Sequence, residues 1–273
     1  MTSPRFNKWT AGTEVARALE DQIRGKQVLI TGASPQSLGE AAALAIATAK
    51  PAVLILASRT PSKLNAVARH VREVIEGCSS PASTASADGT SSTIVETVQL
   101  DLASQASLLL PQLLEAASNG PAGSTRVVNV SSSAHRISPL RFGDYNFEGK
   151  PLPQNEKPRA GFPGTVAYAM SKCANVLFTV ALKERLRERG IDSFAVDPGV
   201  IRTGLTKEIG PGLRKQLESL PQDGWQSPDQ GCAVLLVAAF DPSLSGSEAI
   251  YLQDSQISRP ASHASDKVKA QRL

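Results

Sequence analysis

The chain reads as an α/β fold, a doubly wound parallel sheet with helices on both faces. Three observations predict it. Short apolar runs alternate with helical stretches from one end of the chain to the other. The runs "KQVLITG" (26–32) and "AVLILASR" (52–59) are continuously apolar, as strands buried on both faces must be. No internal repeat and no linker-like stretch divides the 273 residues, a length suited to one large α/β domain spanning 1–273.

Each element follows from local signals. Residues 1–12 form an irregular arm, and 13–24 predict a short helix before the core, so 1–24 is an N-terminal arm and helix. "KQVLITG" predicts the first strand and "LGEAAALAIATAK" an Ala-rich helix after it. The second strand, 52–59, leads into a helix with Thr60 as N-cap, Pro61 at the first helical position and Gly77 just past its end. Residues 78–92, "CSSPASTASADGTSS", are small and of low complexity, which predicts a surface loop. "TIVETVQLD" and "RVVNVSS" (126–132) predict two more strands. A polar loop over about 134–164 precedes a strong helix over 165–189. "IDSFAVDPG" predicts another strand, and 203–226 an irregular segment suited to a substrate lid. In "SPDQGCAVLLVAAFDP", Ser227, Pro228 and Gln230 spell a capping box that opens a helix. "EAIYLQD" predicts the last short strand.

Composition narrows the function classes. Apolar residues are 41% of the chain, enough for a sizeable core. The formal charge is only +4 and the basic residues are scattered, which argues against a nucleic-acid partner. Three widely spaced cysteines, Cys78, Cys173 and Cys232, show neither metal-ligand spacing nor an even count. They fit a reducing, cytoplasmic setting. "MTSPRFNKWT" lacks a secretory apolar region, and no run approaches 18 apolar residues, so no membrane insertion is expected.

Two places carry chemistry. In "VLITGASPQSLGEAAALA", glycines fall in the first strand-to-helix turn. Glycine lets backbone approach an anion, and a helix N-terminus offers free N–H groups and a positive dipole end. The second strand ends "LASRT" with no carboxylate to grip a ribose 2′-hydroxyl. Ser58 and Arg59 suit a 2′-phosphate instead, which favours NADP over NAD. At the other place, Tyr168 and Lys172 stand four residues apart near a helix start and share a face. An ammonium beside a phenol favours phenolate, so a lowered Tyr168 pKa is expected. Ser132 ends the "RVVNVSS" strand, where ligands of open α/β sheets bind. Pro198 and Gly199 turn the chain after the next strand, and Thr203 offers a hydroxyl beyond.

In that order the motifs "TGASPQSLG", "LASRT", "LDLAS", "RVVNVSSSAH", "YAMSK" and "DPGVIRTGL" resemble those of the short-chain dehydrogenase/reductase family, over roughly residues 6–273. The likeness is nearest to the retinol-dehydrogenase-like branch and its fungal relatives. It implies a Rossmann-like domain and an NADP-dependent enzyme that interconverts a carbonyl and an alcohol on a small, lipophilic or secondary-metabolite substrate, with homodimerisation an option. It implies that Ser132 binds the substrate oxygen, that Tyr168 is the general acid or base, and that Lys172 holds the nicotinamide ribose. It places Thr31, Gly32, Ser37, Leu38 and Gly39 at the pyrophosphate turn, Arg59 at the 2′-phosphate and Asp101 at the adenine edge. Pro198, Gly199, Ile201 and Thr203 fall at the nicotinamide end. Phe142, Tyr145, Phe147, Phe162, Leu205, Ile209, Leu213 and Trp225 are candidates to line the substrate region. His70, His135 and His263 have no assigned role.

Two departures from the family pattern stand out. The glycine turn is one residue longer than usual, with Ser37 where a middle glycine is common. Only 24 residues separate Asp101 from Arg126. The family places a further strand and an asparagine there, yet a strand with crossovers needs roughly 10–12 residues on each side. "LLLPQLLEAAS" fits one helix interrupted by Pro111, and no strand candidate remains. The fourth strand and most of its neighbouring helices are therefore expected to be absent. Either the sheet then has a gap, or the Ser132 strand closes up beside the first by about 4.8 Å. Hydride transfer is sensitive to such shifts, because an error of about 1 Å can cost on the order of a hundredfold in rate. The competing readings are a catalytically impaired nucleotide- or partner-binding relative and a shortened product of a longer gene.

Overall fold

A computed structural model describes residues 5–78, 92–101, 109–147, 164–201 and 224–273. Helices α1 (Gly12–Ala18) and α2 (Glu20–Ile23) lead into strand β1 (Gln27–Thr31). Then come α3 (Leu38–Ala47), β2 (Val53–Ser58), α4 (Pro61–Gly77) and β3 (Ile94–Gln99). The chain continues with α5 (Leu110–Ser118), β4 (Thr125–Val130), α6 (Gly164–Leu186) and β5 (Ile191–Asp197). It closes with α7 (Pro228–Phe240), β6 (Tyr251–Gln253), β7 (Gln256–Ile257) and α8 (Lys267–Ala270). Residues 203–223 of the segment 203–226 and residues 79–91 of the stretch 78–92 lie outside the described residues.

The strands form two sheets. One has the order β1-β2-β3 with parallel pairing throughout. The other has the order β4-β5-β6-β7, parallel except for the terminal β6-β7 hairpin. Its turn residues, Asp254 and Ser255, both take positive φ, as a tight hairpin turn requires. Among the described residues β1 and β4 share no ladder, so each stands at the end of its own sheet.

Burial follows this split. β5 is buried at all seven positions, whereas every position of β4 is half-buried. β1 is half-buried at its three central residues and exposed at both ends. Side chains alternate across a strand. One set, Leu54, Leu56, Phe194, Val196 and Leu252, is buried with residues of α3, α4 and α7, and Val28, Ile30, Val128 and Val130 join it. A single apolar layer thus runs beneath both sheets. The opposite side of β4 and β5 is covered by α6 and α5. Leu29 and Ile55, on the other face of the first sheet, stay half-exposed.

Local chemistry explains several boundaries. Pro111 does not interrupt α5; it sits in the first turn, where its missing N–H costs nothing. Ser227 and Gln230 form the reciprocal capping box at the start of α7. Thr60 stands at the N-cap of α4 but its hydroxyl makes no capping bond. Helix α6 with the turn after it, Gly164–Arg189, is long and apolar enough to cross a membrane by length and composition. Within this fold Cys173, Val176, Leu177, Val180 and Ala181 of α6 are buried against Ala195 and Tyr251.

Phe194 shows how the core is braced. It is fully buried on β5, and the Lys183 ammonium and Arg126 guanidinium approach its ring at 5.0 and 5.8 Å. Arg126 is itself anchored to the Gly123 and Ala238 carbonyls and the Ser245 hydroxyl. Phe194→Ala is expected to cost about 3–5 kcal/mol of unfolding free energy, read from urea denaturation. A loss below about 1 kcal/mol would mean that Phe194 does not bear on the shared apolar layer.

Candidate active site

The glycine turn is built around Ser37. Gly32 takes φ +73°, and a Cβ on Gly39 would lie 2.9 Å from the Gly32 carbonyl oxygen, so both positions need glycine. Ser37 is the N-cap of α3: its hydroxyl accepts from the Glu40 and Ser34 N–H groups and donates to the Gly32 carbonyl. The departure from glycine is thereby explained, because the Ser37 side chain folds back to hold the turn. The extra residue is accommodated by Gln36 at φ 61°, whose N–H donates to Glu40. His70 joins the same carboxylate at 2.9 Å.

Thr31 ends β1 and leads into this turn, and Leu38 starts α3 beside the core. At the end of β2, the buried Ser58 hydroxyl has no hydrogen-bond partner. Arg59 is exposed, with no carboxylate in salt-bridge range among the described residues; its carbonyl accepts from the Gln99 side chain. Asp101 lies exposed two residues past β3.

The reactive end is stitched to α6 by polar contacts. Asn129 donates to Thr179, and Ser131 donates to the Lys172 carbonyl at 2.9 Å. The C=O and N–H of one trans peptide group point opposite ways. Ser131 N–H bonds Val196 of β5, so Val130 turns its carbonyl to the other edge of β4, which pairs with no strand among the described residues. There the carbonyl accepts from both Lys172 Nζ, at 3.1 Å, and Asn175 Nδ2, at 2.8 Å. The Lys172 ammonium lies 5.4 Å from the Tyr168 ring centre. Burial lowers the Lys172 pKa.

Ser132 begins a short 3-10 turn, Ser133–Arg136, and its hydroxyl accepts from the Ala134 N–H. The Tyr168 phenol differs from expectation: its pKa is raised, first by burial and also by the negative charge of Asp197, while Ser132 pulls it down. The lowered Tyr168 expected from the Lys172 spacing is not found, because burial of the phenol outweighs what favours the phenolate.

Pro198 and Gly199 follow β5, with Gly199 at φ +80° and its N–H on the Asp197 carboxylate. A Cβ on Gly199 would strike Gln226 Oε1, a buried atom with no partner. Ile201 is bridged to Gln226. A Cβ on Gly231 of α7 would collide with Ile201 and come within 3.4 Å of Leu38. Gly231 therefore brings the glycine turn of one sheet next to the turn after β5 of the other. Sequence reading missed it, since a glycine inside a helix carries no motif signal. Thr203 lies outside the described residues, as do Phe162, Leu205, Ile209 and Leu213. Phe142 packs against the α6 cluster and beneath Arg272, whereas Tyr145 is exposed.

His135, left without a role by the sequence, is packed inside. Its ring is fully buried, with Nδ1 2.7 Å from the Ser132 carbonyl and Nε2 accepting from the Ala261 N–H. Nδ1 therefore carries the proton, and the neutral imidazole ties the Ser132 turn to the C-terminal segment.

No family model matches the chain. It is 32% identical over 157 residues to a short-chain dehydrogenase/reductase of Penicillium rubens, a match covering 56% of this chain and 43% of that protein. A mouse (Mus musculus) polyprenol dehydrogenase is 33% identical over 168 residues, covering 61% and 46%. The chain spans about half the length of the curated relatives it matches. Among solved structures, the Pseudomonas aeruginosa RhlG/NADP active-site complex superposes with a TM-score of 0.57 at 17% identity, over 85% of this chain and 96% of that one. The chain is related to the short-chain dehydrogenases/reductases, and its α/β fold is Rossmann-like.

Burial lowers the His135 pKa from 6.5, so the folded state prefers the neutral ring. Its contribution to stability is complete above the unfolded value and is lost as pH falls below it. Urea midpoints measured between about pH 7.5 and pH 5 should fall more steeply for the wild type than for His135→Gln. Parallel profiles would show that the Ala261 bond does not need the neutral imidazole.

Proposed function

We propose that this chain is an NADP-dependent oxidoreductase that interconverts a carbonyl and an alcohol, within one domain that carries both the nucleotide turn and the reactive end. The observation that carries the reading is the gathering of Ser132, Tyr168 and Lys172 beyond β4, with Ser131 bonded to the Lys172 carbonyl and the Lys172 ammonium 5.4 Å from the Tyr168 ring centre. The residues present fit a nicotinamide dinucleotide. Gly32 leaves open space for a pyrophosphate at the α3 N-terminus, and Gly39 lets the helix start close against that turn. The unpartnered Ser58 hydroxyl and the exposed Arg59 suit a 2′-phosphate. Leu38 and Ile201, brought together over Gly231, would flank the path from pyrophosphate to nicotinamide. When bound, the dinucleotide would supply or accept the hydride.

The chain's own groups handle the proton. Ser132 would orient the substrate oxygen by a hydrogen bond. Tyr168, kept neutral by burial, would donate its phenolic proton to that oxygen as the carbonyl is reduced. Lys172 is in place to hold the ribose once it exchanges Val130 for a better acceptor. The kinship with a polyprenol dehydrogenase supports a lipophilic substrate, and a cytoplasmic setting suits the free thiols. A homodimer is compatible with this reading. Among the described residues the facing edges of β1 and β4 pair with no strand, which favours a second reading, a relative that binds nucleotide without turnover.

Fluorescence titration should show saturable NADPH binding that is tighter than NADH binding. Arg59→Glu should weaken NADPH about tenfold or more with little change for NADH. No binding by folded protein would overturn the nucleotide assignment. With a panel of lipophilic ketones, Tyr168→Phe should lower turnover on the order of a hundredfold to ten-thousandfold. Binding without turnover by the wild type would select the second reading.

A further inference from the structure

The end of β4 carries an acceptor that two donors share. The Val130 carbonyl receives Lys172 Nζ at 3.1 Å and Asn175 Nδ2 at 2.8 Å. Lys172 and Asn175 stand three residues apart on α6, so both reach the same edge of β4. Lys172 has a task in the oxidoreductase reading, whereas Asn175 has none so far. Yet the amide makes the shorter of the two bonds.

The surroundings of Asn175 hold it in place. Its backbone carbonyl accepts from the Thr179 hydroxyl at 2.9 Å, and that hydroxyl accepts in turn from Asn129 Nδ2 at 2.9 Å. Thr179 is fully buried. On the other side of Val130, Ser131 donates to the Lys172 carbonyl. The strand end is thus tied to α6 on both sides of Val130 without the Lys172 ammonium. That ammonium sits on a flexible four-carbon stem and is the member of the set most free to move.

A carbonyl oxygen has two lone pairs and accepts both donors at once. Removing one donor leaves it bonded. Removing both leaves it unpaired at a half-buried strand end, which costs more than one bond is worth. With Asn175 in place, the ammonium can turn from Val130 to another acceptor at little cost. Without Asn175, Lys172 would be the only side chain serving that carbonyl among the described residues.

We propose that Asn175 is a positioning residue: by keeping the Val130 carbonyl bonded, it releases the Lys172 ammonium for the nucleotide ribose. The inference deepens the oxidoreductase reading and rests on it for the ribose.

Two measurements test it. Urea unfolding of Lys172→Met, Asn175→Ala and the double variant reads the shared acceptor and needs no nucleotide. The double variant should lose more stability than the two single variants together. Additive losses would mean that the carbonyl is not shared, and the proposal would be overturned. Fluorescence titration reads the release. Asn175→Ala should weaken NADPH and NADH alike, by about tenfold. Asn175→Leu, which keeps the side-chain volume, should do the same. In a Lys172→Met background, where the glycine turn and Arg59 still hold NADPH, neither substitution should change affinity, since no ammonium is left to release. An equal loss in both backgrounds would show that Asn175 acts on the site otherwise than through Lys172, and this too would overturn the proposal. Non-additive stability in a protein whose wild type binds neither nucleotide would uphold the shared acceptor and refute the oxidoreductase reading instead.

Discussion

Among the described residues the two sheets share no ladder, so the relation between the glycine turn and the reactive end rests on the apolar layer beneath them. Helices α3 and α7 do this work. Ala42, Ala43, Ala45, Ile46 and Ala47 of α3 and Cys232, Ala233, Leu236 and Val237 of α7 belong to one buried cluster that reaches Leu54 on one sheet and Phe194 on the other. Small side chains let the two helices approach closely. At Gly231 the approach is closest to the chemistry, since Ile201 occupies the space a side chain would need. Van der Waals contact is short-ranged, so a layer packed this closely holds the two sheets in one relation without a hydrogen bond between them.

Polar contacts then do what packing cannot. A strand edge without a neighbour leaves carbonyls in need of donors. β4 meets that need with side chains from α6: Lys172 and Asn175 both serve the Val130 carbonyl. The same contacts bind the end of β4 to the helix that bears Tyr168, so Ser132, Tyr168 and Lys172 are held as a unit. His135 and Ala261 extend that unit to the C-terminal segment. The free edge and the assembled reactive groups are thus two aspects of one arrangement.

Periodicity and turn chemistry made much of this legible. Apolar runs located β1, β2, β3, β4 and β5 within a few residues, and the Ser227–Gln230 capping box was read directly. The two-residue strand β7 was not seen, because so short a strand has no period. Pro111 was taken as an interruption when it marks a start, a difference set by how many residues precede it in the helix. Spacing placed Tyr168 and Lys172 on one face, yet the sign of the Tyr168 shift came out opposite. Spacing does not reveal burial, nor that Asp197 lies across the strand and Val130 competes for the ammonium.

What the sequence determined alone is the set of local rules: which segments can be strands, where helices begin, which glycines need positive φ and which groups carry reactive chemistry. These depend on neighbours within about four residues along the chain. Tertiary structure decided the rest. It gave His135 its neutral tautomer, set Gly231 beneath Ile201 and buried Asp197 beside a phenol. Each of these is a contact between residues distant in sequence or a consequence of excluded water, and neither is written in any local pattern.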